Sequence, residues 1–337
     1  MEIGSEFWNV PVCPRKGNIF PENTQWYQSG RGALRAVISR LHIRTAALPA
    51  WCCHTMIQPF LDAGIEVRFY PVYPGQNQLV QELRMDCDAL FVMDYFGYTS
   101  TFQALRSYGG IVVRDVTHSI FSNTYRDADY VFGSLRKWCG VWTGGYAWTR
   151  SGKLLPAGEQ PDVEHIMLRR SAMECKQRYL QGDKGEADKR YLDMFSRAEE
   201  RLNGPTIRAV AKRDVEAAIH LDTTLIKERR RQNAIVLREA FTDWLIFSEM
   251  REKDCPLFVP ILVPNNQRDK LRKYLIQHGI YCPIHWPLSE SHRVDKKTAK
   301  IYDQELSLVC DQRYTEEDMR RIVTVIRQFI LETGNTL

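Results

Sequence analysis

The sequence predicts an α/β protein: a three-layer αβα architecture on a mostly parallel sheet, followed by a smaller C-terminal α+β domain. Between residues 30 and 150, short apolar runs alternate with amphipathic helical patterns. This alternation is typical of a parallel sheet that is covered on both faces. After about residue 160 the chain becomes more polar and richer in helical patterns. With 337 residues, 44% of them hydrophobic, the chain is long enough for more than one domain.

The elements of the first half follow from hydrophobic periodicity and from Gly and Pro positions. A helix is predicted after Ser29-Gly30-Arg31-Gly32, because apolar residues recur with helical spacing from Ala33 to Leu41. A second helix is predicted from Met56 until Gly64, which suits a helix C-terminus. A third helix is predicted over 102–108, and strands are predicted over 45–48, 67–73, 89–93, 111–113, 130–132 and 144–148.

In the second half of the chain, the sequence predicts helices joined by a few strands. Residues 162–203 are helix-prone with an interruption at 182–185, and 214–241 forms one long helical stretch. The basic run at 227–231 within it is expected to form a solvated face or a partner contact. Further predictions are an edge strand with an internal proline at 257–263, a helix at 270–278, a strand at 280–284 and a closing helix at 316–331. We expect an N-terminal arm (1–17), a large domain (18–213) and a small domain (214–337).

Composition excludes several classes of protein. The net charge of +5 is mild, and the 46 basic residues are mixed with 41 acidic ones, so nucleic-acid binding is not expected. The nine cysteines show no C-x-x-C spacing, which predicts reduced thiols in the cytoplasm and neither a disulfide framework nor a metal site. The start of the chain has no signal-peptide pattern, and no apolar run approaches the roughly 18 residues that span a membrane.

The most informative residues are Asp115, His118 and Lys137, which follow two neighbouring predicted strands. In parallel sheets, ligands bind beyond the carboxyl ends of the strands. A lysine among apolar neighbours such as Leu135 and Trp138 is suited to forming a Schiff base, and a strand-end carboxylate can pair with a pyridine nitrogen. Pyridoxal 5'-phosphate (PLP) needs both groups. The alternatives are a surface lysine, an aspartate that caps a turn and a structural histidine.

Several residues are candidates for holding the rest of this cofactor. The small residues from Ser29 to Ala33 open a helix whose N-terminus can bind a phosphate, with Gly32, Ala33 and Arg31 as candidates. Ser134 offers a hydroxyl to the same phosphate, and Arg136 adds positive charge near it. Trp51 and Cys53 follow the first strand, where a flat or soft group could cover the cofactor ring; a core position is the alternative for Trp51.

The order of these motifs resembles that of the fold type I PLP enzymes, specifically the DegT/DnrJ-type sugar aminotransferases. Similar segments are 29–34, 48–53, Asp94-Tyr95-Phe96-Gly97, Asp115-Val116-Thr117-His118, and Lys137 followed by Gly144-Gly145. Late in the chain, 229–233, Pro283-Ile284-His285-Trp286-Pro287, 306–308 and 315–318 are similar to the C-terminal domain of that family. The chain departs from the family pattern in the short spacing between Ser134 and Lys137 and in Cys53, which stands where an aromatic residue is usual.

The resemblance implies a function and a set of roles. Lys137 would hold PLP covalently, Asp115 would pair with the ring nitrogen, His118 would face the ring hydroxyl, and Arg136 and His285 would contact substrate. The implied reaction moves an amino group from a donor such as glutamate to a keto group of a nucleotide-linked sugar, in a homodimer whose site lies near the interface. Two alternatives remain: another PLP reaction (dehydration, lysis or decarboxylation) and a non-catalytic, ligand-binding relative.

Overall fold

The computed structural model describes residues 2–14, 19–75, 79–84, 86–99, 108–122, 127–183, 185 and 189–333. The strands are β1 (Ile3–Gly4), β2 (Gln25–Tyr27), β3 (Thr45–Pro49), β4 (Glu66–Tyr70), β5 (Val72–Pro74), β6 (Leu79–Gln81), β7 (Ala89–Met93), β8 (Ile111–Asp115), β9 (Tyr130–Ser134), β10 (Gly145–Thr149), β11 (Val259–Leu262), β12 (Ile280–Tyr281) and β13 (Glu305–Leu308). The helices are α1 (Gly30–Ile38), α2 (His54–Asp62), α3 (Val163–Leu180), α4 (Tyr191–Glu200), α5 (Lys212–Ile219), α6 (Thr223–Ala240), α7 (Arg268–Gln277), α8 (Lys296–Gln304) and α9 (Glu316–Thr333). The helix expected at 102–108 lies outside the described residues except for Tyr108.

A seven-stranded sheet in the order β2-β10-β9-β8-β7-β3-β4 forms the centre of the fold. Strands β4, β3, β7, β8 and β9 pair in parallel, whereas β10 runs antiparallel to both β9 and β2. The inner strands are buried almost throughout, as in β7 (Ala-Leu-Phe-Val-Met), which explains their continuous apolar runs. The predicted α/β class with a mostly parallel sheet is therefore confirmed.

Helix α1 begins where the sequence predicts because Ser29 caps it. The Ser29 Oγ accepts a hydrogen bond from the Gly32 N–H at 3.2 Å, and residues such as Leu34 and Val37 are fully buried against the sheet. Helix α2 starts after Cys53 and ends before Gly64, whose φ of +70° is in the left-handed region that glycine adopts easily. Both helices therefore begin just after a strand, at the edge of the sheet where ligands bind.

A second apolar core lies in the C-terminal part of the chain. It is built from α6, α7 and α9 around the antiparallel pair β11–β13, and it includes Leu271, Leu306 and Ile326. Strand β1 pairs in parallel with β12, so residues near the start of the chain belong to this second core. Thr315 caps α9: its backbone N–H donates to the Asp318 carboxylate at 2.9 Å. Within the described ranges, every helix is too short or too polar to cross a lipid bilayer.

The structure corrects three sequence predictions. The long helix expected at 214–241 is two helices, because Leu221 is buried and the Asp222 carboxylate caps α6 by accepting from the Leu225 N–H at 3.0 Å. The strand expected at 67–73 is divided at Pro71 into β4 and β5. The basic run at 227–231 is not simply a solvated face, because Arg230 in its middle is fully buried.

Candidate functional site

Four segments meet at the carboxyl edge of the central sheet and enclose a cleft. They are the start of α1, the start of α2, the end of β8 with the turn after it, and the end of β9 with its 3₁₀ turn at 135–137. The cleft is lined by Ser29, Gly30, Arg31, Cys53, Thr55, Met56, Met93, Asp115, Thr117, His118, Phe132, Ser134, Arg136, Lys137, Glu199 and Trp286. Most of the residues that the sequence analysis singles out therefore lie together.

Lys137 lines the cleft, but its side chain is exposed. The apolar residues beside Lys137 in the sequence therefore do not bury its amine. In a 3₁₀ turn, residues three apart share one face, and here Leu135 and Trp138 turn that face into the core. Lys137 lies on another face and extends into the open cleft. An amine in this position is accessible to a carbonyl group that enters the cleft.

Asp115 ends β8, is only 2% exposed and faces the same cleft. Its Oδ1 accepts a hydrogen bond from the Thr117 N–H at 2.8 Å. Burial raises the pKa of this carboxyl to about 7, while the hydrogen bond from Thr117 and the charge of Lys137 oppose that shift. A cationic ring nitrogen beside Asp115 would favour the ionised carboxylate.

The end of β8 is held by a buried ion pair one residue away. The Arg114 guanidinium donates to Asp94 at 2.7 Å, and Asp94 also accepts from the Ser119 hydroxyl at 2.8 Å. Three residues after Asp94, Gly97 passes so close to the Cys255 carbonyl that an added Cβ would lie 2.0 Å from the oxygen. The loop after β7 and the turn after β8 are thereby fixed to each other, which gives Asp115 a rigid support.

His118 lies in an aromatic wall on one side of the cleft. Its ring stacks on Trp286 with centroids 5.7 Å apart and approaches His285 at 5.7 Å. Burial lowers the pKa of His118 well below its usual value, and the charge of Lys137 adds to this shift, so the ring is neutral. Its buried Nδ1 has no hydrogen-bond partner among the described atoms. A bound group with a matching donor or acceptor would satisfy it.

The start of α1 and the end of β9 form a narrow polar pocket. The Ser134 hydroxyl is buried without a hydrogen-bond partner among the described atoms, and it lies beside Gly30, where an added Cβ would be 3.2 Å from that of Ser134. Gly145 makes this approach possible, because a Cβ there would lie 1.9 Å from the Ser29 carbonyl oxygen. Small residues thus bring the helix N-terminus to the Ser134 hydroxyl, which suits an anion.

The structure does not place the Gly32 and Ala33 N–H groups at this pocket. The Gly32 N–H donates to Ser29 Oγ, and the Ala33 N–H donates to the Ser29 carbonyl at 3.0 Å. Both groups are used within the first turn of the helix. The N-terminal residues that line the cleft are Ser29, Gly30 and Arg31 instead.

Arg31 and Arg136 are brought together by Glu199 of α4, a residue that the sequence analysis does not identify. Both guanidinium groups hydrogen-bond its carboxylate, and Arg136 does so through two nitrogens at 3.1 Å. Burial alone would raise the pKa of Glu199, but Arg136, Arg31 and Lys137 lower it well below its usual range. Glu199 follows a polar segment with no motif, and only the folded chain shows that it reaches the cleft.

Cys53 lines the cleft at the start of α2, whereas Trp51 does not. Trp51 is fully buried, stacks on Tyr95 with centroids 4.9 Å apart, and donates its indole N–H to the His285 carbonyl at 2.5 Å. Its place is in the core behind the cleft, which is the alternative noted for it. Trp286 lines the cleft together with Phe132, and its position depends on a contact with His118, a distant part of the chain.

A second chamber adjoins the cleft and shares Arg136, Lys137 and Glu199 with it. His285 lines this chamber, and its Nδ1 lies 2.8 Å from the Ser307 hydroxyl, which donates to Glu305 at 2.5 Å. Burial lowers the pKa of His285 to about 3 and raises that of Glu305 to about 8. This buried polar chain fixes the orientation of the His285 ring.

The cleft contains polar groups without partners, and PLP carries the groups that would pair with them. The buried Ser134 hydroxyl and His118 Nδ1 both lack hydrogen-bond partners among the described atoms. Burial raises the pKa of Asp115 despite the charge of Lys137, so a further cation beside this carboxyl would favour its ionisation. A phosphate would satisfy the Ser134 hydroxyl, a ring hydroxyl would satisfy His118 Nδ1, and a protonated ring nitrogen would pair with the Asp115 carboxylate. Lys137 supplies the amine that the aldehyde requires.

The chain shares its fold with solved structures of aminotransferases. Among solved structures, the chain is similar to a DegT DnrJ EryC1 StrS aminotransferase from Brucella abortus, with 16% identity, TM-score 0.59 and coverage of 91% of this chain and 85% of that one. It is also similar to the aminotransferase TlmJ from Streptoalloteichus hindustanus (15% identity, TM-score 0.64, coverage 93% and 87%) and to Spr1654 from Streptococcus pneumoniae in its PLP form (12% identity, TM-score 0.61, coverage 95% and 93%). No protein-family model and no curated protein matches the sequence. The likeness establishes the fold.

Proposed function

We propose that the protein is a PLP-dependent aminotransferase that moves an amino group from an amino acid donor, glutamate by expectation, to the keto group of a nucleotide-linked sugar. One observation carries the proposal. The Lys137 amine, the Asp115 carboxylate and the Ser134 hydroxyl face one cleft at the N-terminus of α1. The shared fold supports it, because the similar proteins from Brucella abortus and Streptoalloteichus hindustanus are aminotransferases, and Spr1654 has been solved with PLP and PMP.

Each residue has a physical role in this proposal. When bound, PLP supplies an aldehyde for imine formation and a ring that withdraws electrons from the substrate carbon. Lys137 Nζ would hold the cofactor through its aldehyde and, when free, would take up and return the proton at the substrate carbon. Asp115 would keep the ring nitrogen protonated. Arg31, Ser134 and the helix N-terminus would hold the phosphate, and Trp286 with the neutral His118 would limit the access of water.

The first experiment tests the covalent link. The purified protein is mixed with PLP, its near-visible absorbance is recorded, and the adduct is reduced with borohydride and located by peptide mass spectrometry. We expect a reducible band and a modified Lys137. Lys137→Ala should lose both, whereas Lys153→Ala, which removes an exposed lysine outside the cleft, should keep them. A wild-type protein without an adduct would refute the proposal.

The second experiment distinguishes aminotransfer from other PLP chemistry. Glutamate is added to the PLP-loaded protein without an acceptor, and the absorbance is followed. An aminotransferase converts the cofactor to its amine form and releases 2-oxoglutarate, whereas a dehydratase, lyase or decarboxylase does not. Addition of keto-sugar nucleotides to the amine form then identifies the acceptor by recovery of the original band.

We also propose a homodimer with the site near its interface, on the basis of the family resemblance. An exposed apolar pair on α3 supports it, since Val163 and Met167 lie one turn apart and are 66% and 62% exposed. Light scattering should give about twice the chain mass of 39.3 kDa. The division into an arm (1–17), a large domain (18–213) and a small domain (214–337) remains part of the proposal, as does a cytoplasmic location, which the dispersed cysteines of the sequence support.

A further inference from the structure

His285 connects the second chamber to a buried carboxyl group. The residue lines the chamber, and its Nδ1 lies 2.8 Å from the Ser307 hydroxyl, which is 2.5 Å from Glu305 Oε1. Glu305 is 0% exposed, and its Oε2 accepts a hydrogen bond from the His285 backbone N–H at 2.6 Å. The other ring nitrogen of His285, Nε2, forms no hydrogen bond with any residue that the structure describes. It is therefore the nitrogen that a ligand in the chamber can meet.

Two arrangements of protons satisfy this chain. With Glu305 ionised, the Ser307 hydroxyl donates to Oε1, the His285 Nδ1–H donates to Ser307 Oγ, and Nε2 presents a lone pair. With Glu305 protonated, its Oε1–H donates to Ser307 Oγ, the Ser307 hydroxyl donates to Nδ1, and Nε2 carries a proton. A proton that enters at Nε2 converts the first arrangement into the second, because Nδ1 passes its proton to Ser307 and Ser307 passes its own to Glu305.

Glu305 can change its protonation state near neutral pH although it is fully buried. Burial raises the pKa of its carboxyl to about 8, while the hydrogen bonds from Ser307 and the His285 backbone and the charge of Arg268 on α7 oppose this shift. The Cys282 thiol, which also faces Glu305, has a pKa that burial raises to about 12, so the thiol is neutral. The Glu305 carboxyl is therefore protonated below about pH 8 and ionised above it.

The His285 ring stays neutral throughout this pH range. Burial and the charge of Lys137 lower its pKa to about 3. The ring of His118, whose centroid lies 5.7 Å from that of His285, is neutral as well. Protonation of Glu305 therefore changes the tautomer of His285 and leaves the charge of its ring unchanged.

We infer that Glu305 is a positioning residue which, acting through Ser307, decides whether His285 Nε2 donates or accepts a hydrogen bond in the second chamber. A protonated Glu305 makes Nε2–H a donor to a carbonyl or carboxylate oxygen of the substrate. An ionised Glu305 makes Nε2 an acceptor for a hydroxyl or an amine. The contact with a substrate rests on the proposed function, because that function places the substrate at Lys137, which lines the same chamber. The tautomer itself is a property of the cofactor-free protein.

The tautomer is measured in the cofactor-free protein by long-range proton–nitrogen NMR of the histidine rings between pH 6 and pH 10. His285→Asn assigns the signal of His285 among those of the eight histidines. In the wild type, we expect the ring proton on Nε2 at low pH and on Nδ1 at high pH, with a midpoint at about pH 8. The same tautomer at every pH would overturn the inference.

Two variants and a control separate this relay from a general effect of pH. In Glu305→Gln, the amide oxygen must accept from the His285 backbone N–H, so the amide N–H groups donate to Ser307 and keep the ring proton on Nε2 at every pH. Ser307→Ala interrupts the chain without changing a charge and should also abolish the pH-dependent change. Asp303→Asn, which removes an exposed carboxylate on α8 outside the chamber, should titrate like the wild type. A wild-type titration in Glu305→Gln and Ser307→Ala would overturn the inference.

The PLP-loaded protein shows whether the tautomer acts on a substrate. The rate at which glutamate converts the cofactor is compared between the wild type and Glu305→Gln over the same pH range. The ratio of the two rates should change about three- to tenfold across pH 8, as expected for one hydrogen bond between neutral groups. A constant ratio overturns the inference but leaves the proposed function intact. The proposed function fails separately, if the wild type forms no borohydride-reducible adduct at Lys137.

Discussion

Substitution of Asp115 by Asn should make the cofactor-free protein more stable at neutral pH. The carboxyl group is 2% exposed and carries a pKa of about 7, against an ordinary value of 3.8. Ionising it therefore costs more in the folded protein than in the unfolded chain. Asparagine removes this cost, and its side-chain oxygen can still accept the hydrogen bond from the Thr117 N–H.

The size of the effect follows from linkage between proton binding and folding. A pKa raised from 3.8 to about 7, at 1.36 kcal/mol per pH unit, corresponds to about 4 kcal/mol of lost stability. Well below pH 3.8 the carboxyl is protonated in both the folded and the unfolded protein, so no stability is lost. As the pH rises, the unfolded chain ionises first, so the wild type loses stability up to about pH 7 and little beyond it.

The assay is denaturant unfolding of cofactor-free wild type and Asp115→Asn between pH 4 and pH 8.5. The difference in unfolding free energy should grow by about 3 kcal/mol in favour of the variant between pH 4 and pH 7. Asp243→Asn, at an exposed position, is the control and should show no such trend. Saturating PLP should stabilise the wild type more than Asp115→Asn, because a cationic ring nitrogen compensates the carboxylate. A pH-independent difference would refute the reasoning.

Three further outcomes are expected. Gly145→Ala places a Cβ 1.9 Å from the Ser29 carbonyl oxygen and should cost ~3 kcal/mol or more in thermal unfolding, whereas Gly109→Ala, with nothing within 4 Å, should be nearly neutral. Ser134→Ala should keep the melting temperature of the cofactor-free protein but weaken PLP about tenfold by fluorescence titration; unchanged affinity would exclude a phosphate contact. Glu305→Gln should remove a stability loss on the order of 5 kcal/mol between pH 4.5 and pH 8, since burial raises this pKa to about 8. Parallel pH profiles of the wild type and Glu305→Gln would contradict that assignment.

The central sheet could be predicted from sequence because its inner strands are short, continuous apolar runs, which indicate buried strands. Strands β7 and β8 lie where the sequence places them, and Asp115 and Ser134 follow from their positions at strand ends. The first turn of α1 could be located as well, but the hydrogen-bond acceptors of its N–H groups could not. The N–H groups of Gly32 and Ala33 donate to Ser29, and this depends on the local backbone and side-chain geometry, which the sequence does not show.

The rest of the site depends on contacts between residues far apart in the chain. Glu199 reaches Arg31 across 168 positions, and Trp51 donates to the His285 carbonyl across 234. No local pattern encodes such contacts. Arg230 looks like part of a charged surface in the sequence, but the folded chain buries it against Trp138 and Leu257. The exposure of Lys137 was missed because the apolar residues beside it in sequence face away from it in the 3₁₀ turn.

The pairing of β1 with β12 has a consequence for dissecting the protein. Gly4 lies against Tyr281, where an added Cβ would be 2.3 Å from the carbonyl oxygen, and the carbonyl of Glu6 accepts from Lys176 of α3 at 2.7 Å. The first few residues thus contact both the C-terminal core and helix α3, which precedes that core in the chain. A fragment cut at residue 214 would lack a strand of its own sheet. An excised C-terminal half would therefore have to carry residues 2–8 as a grafted or co-expressed peptide in order to fold as it does here.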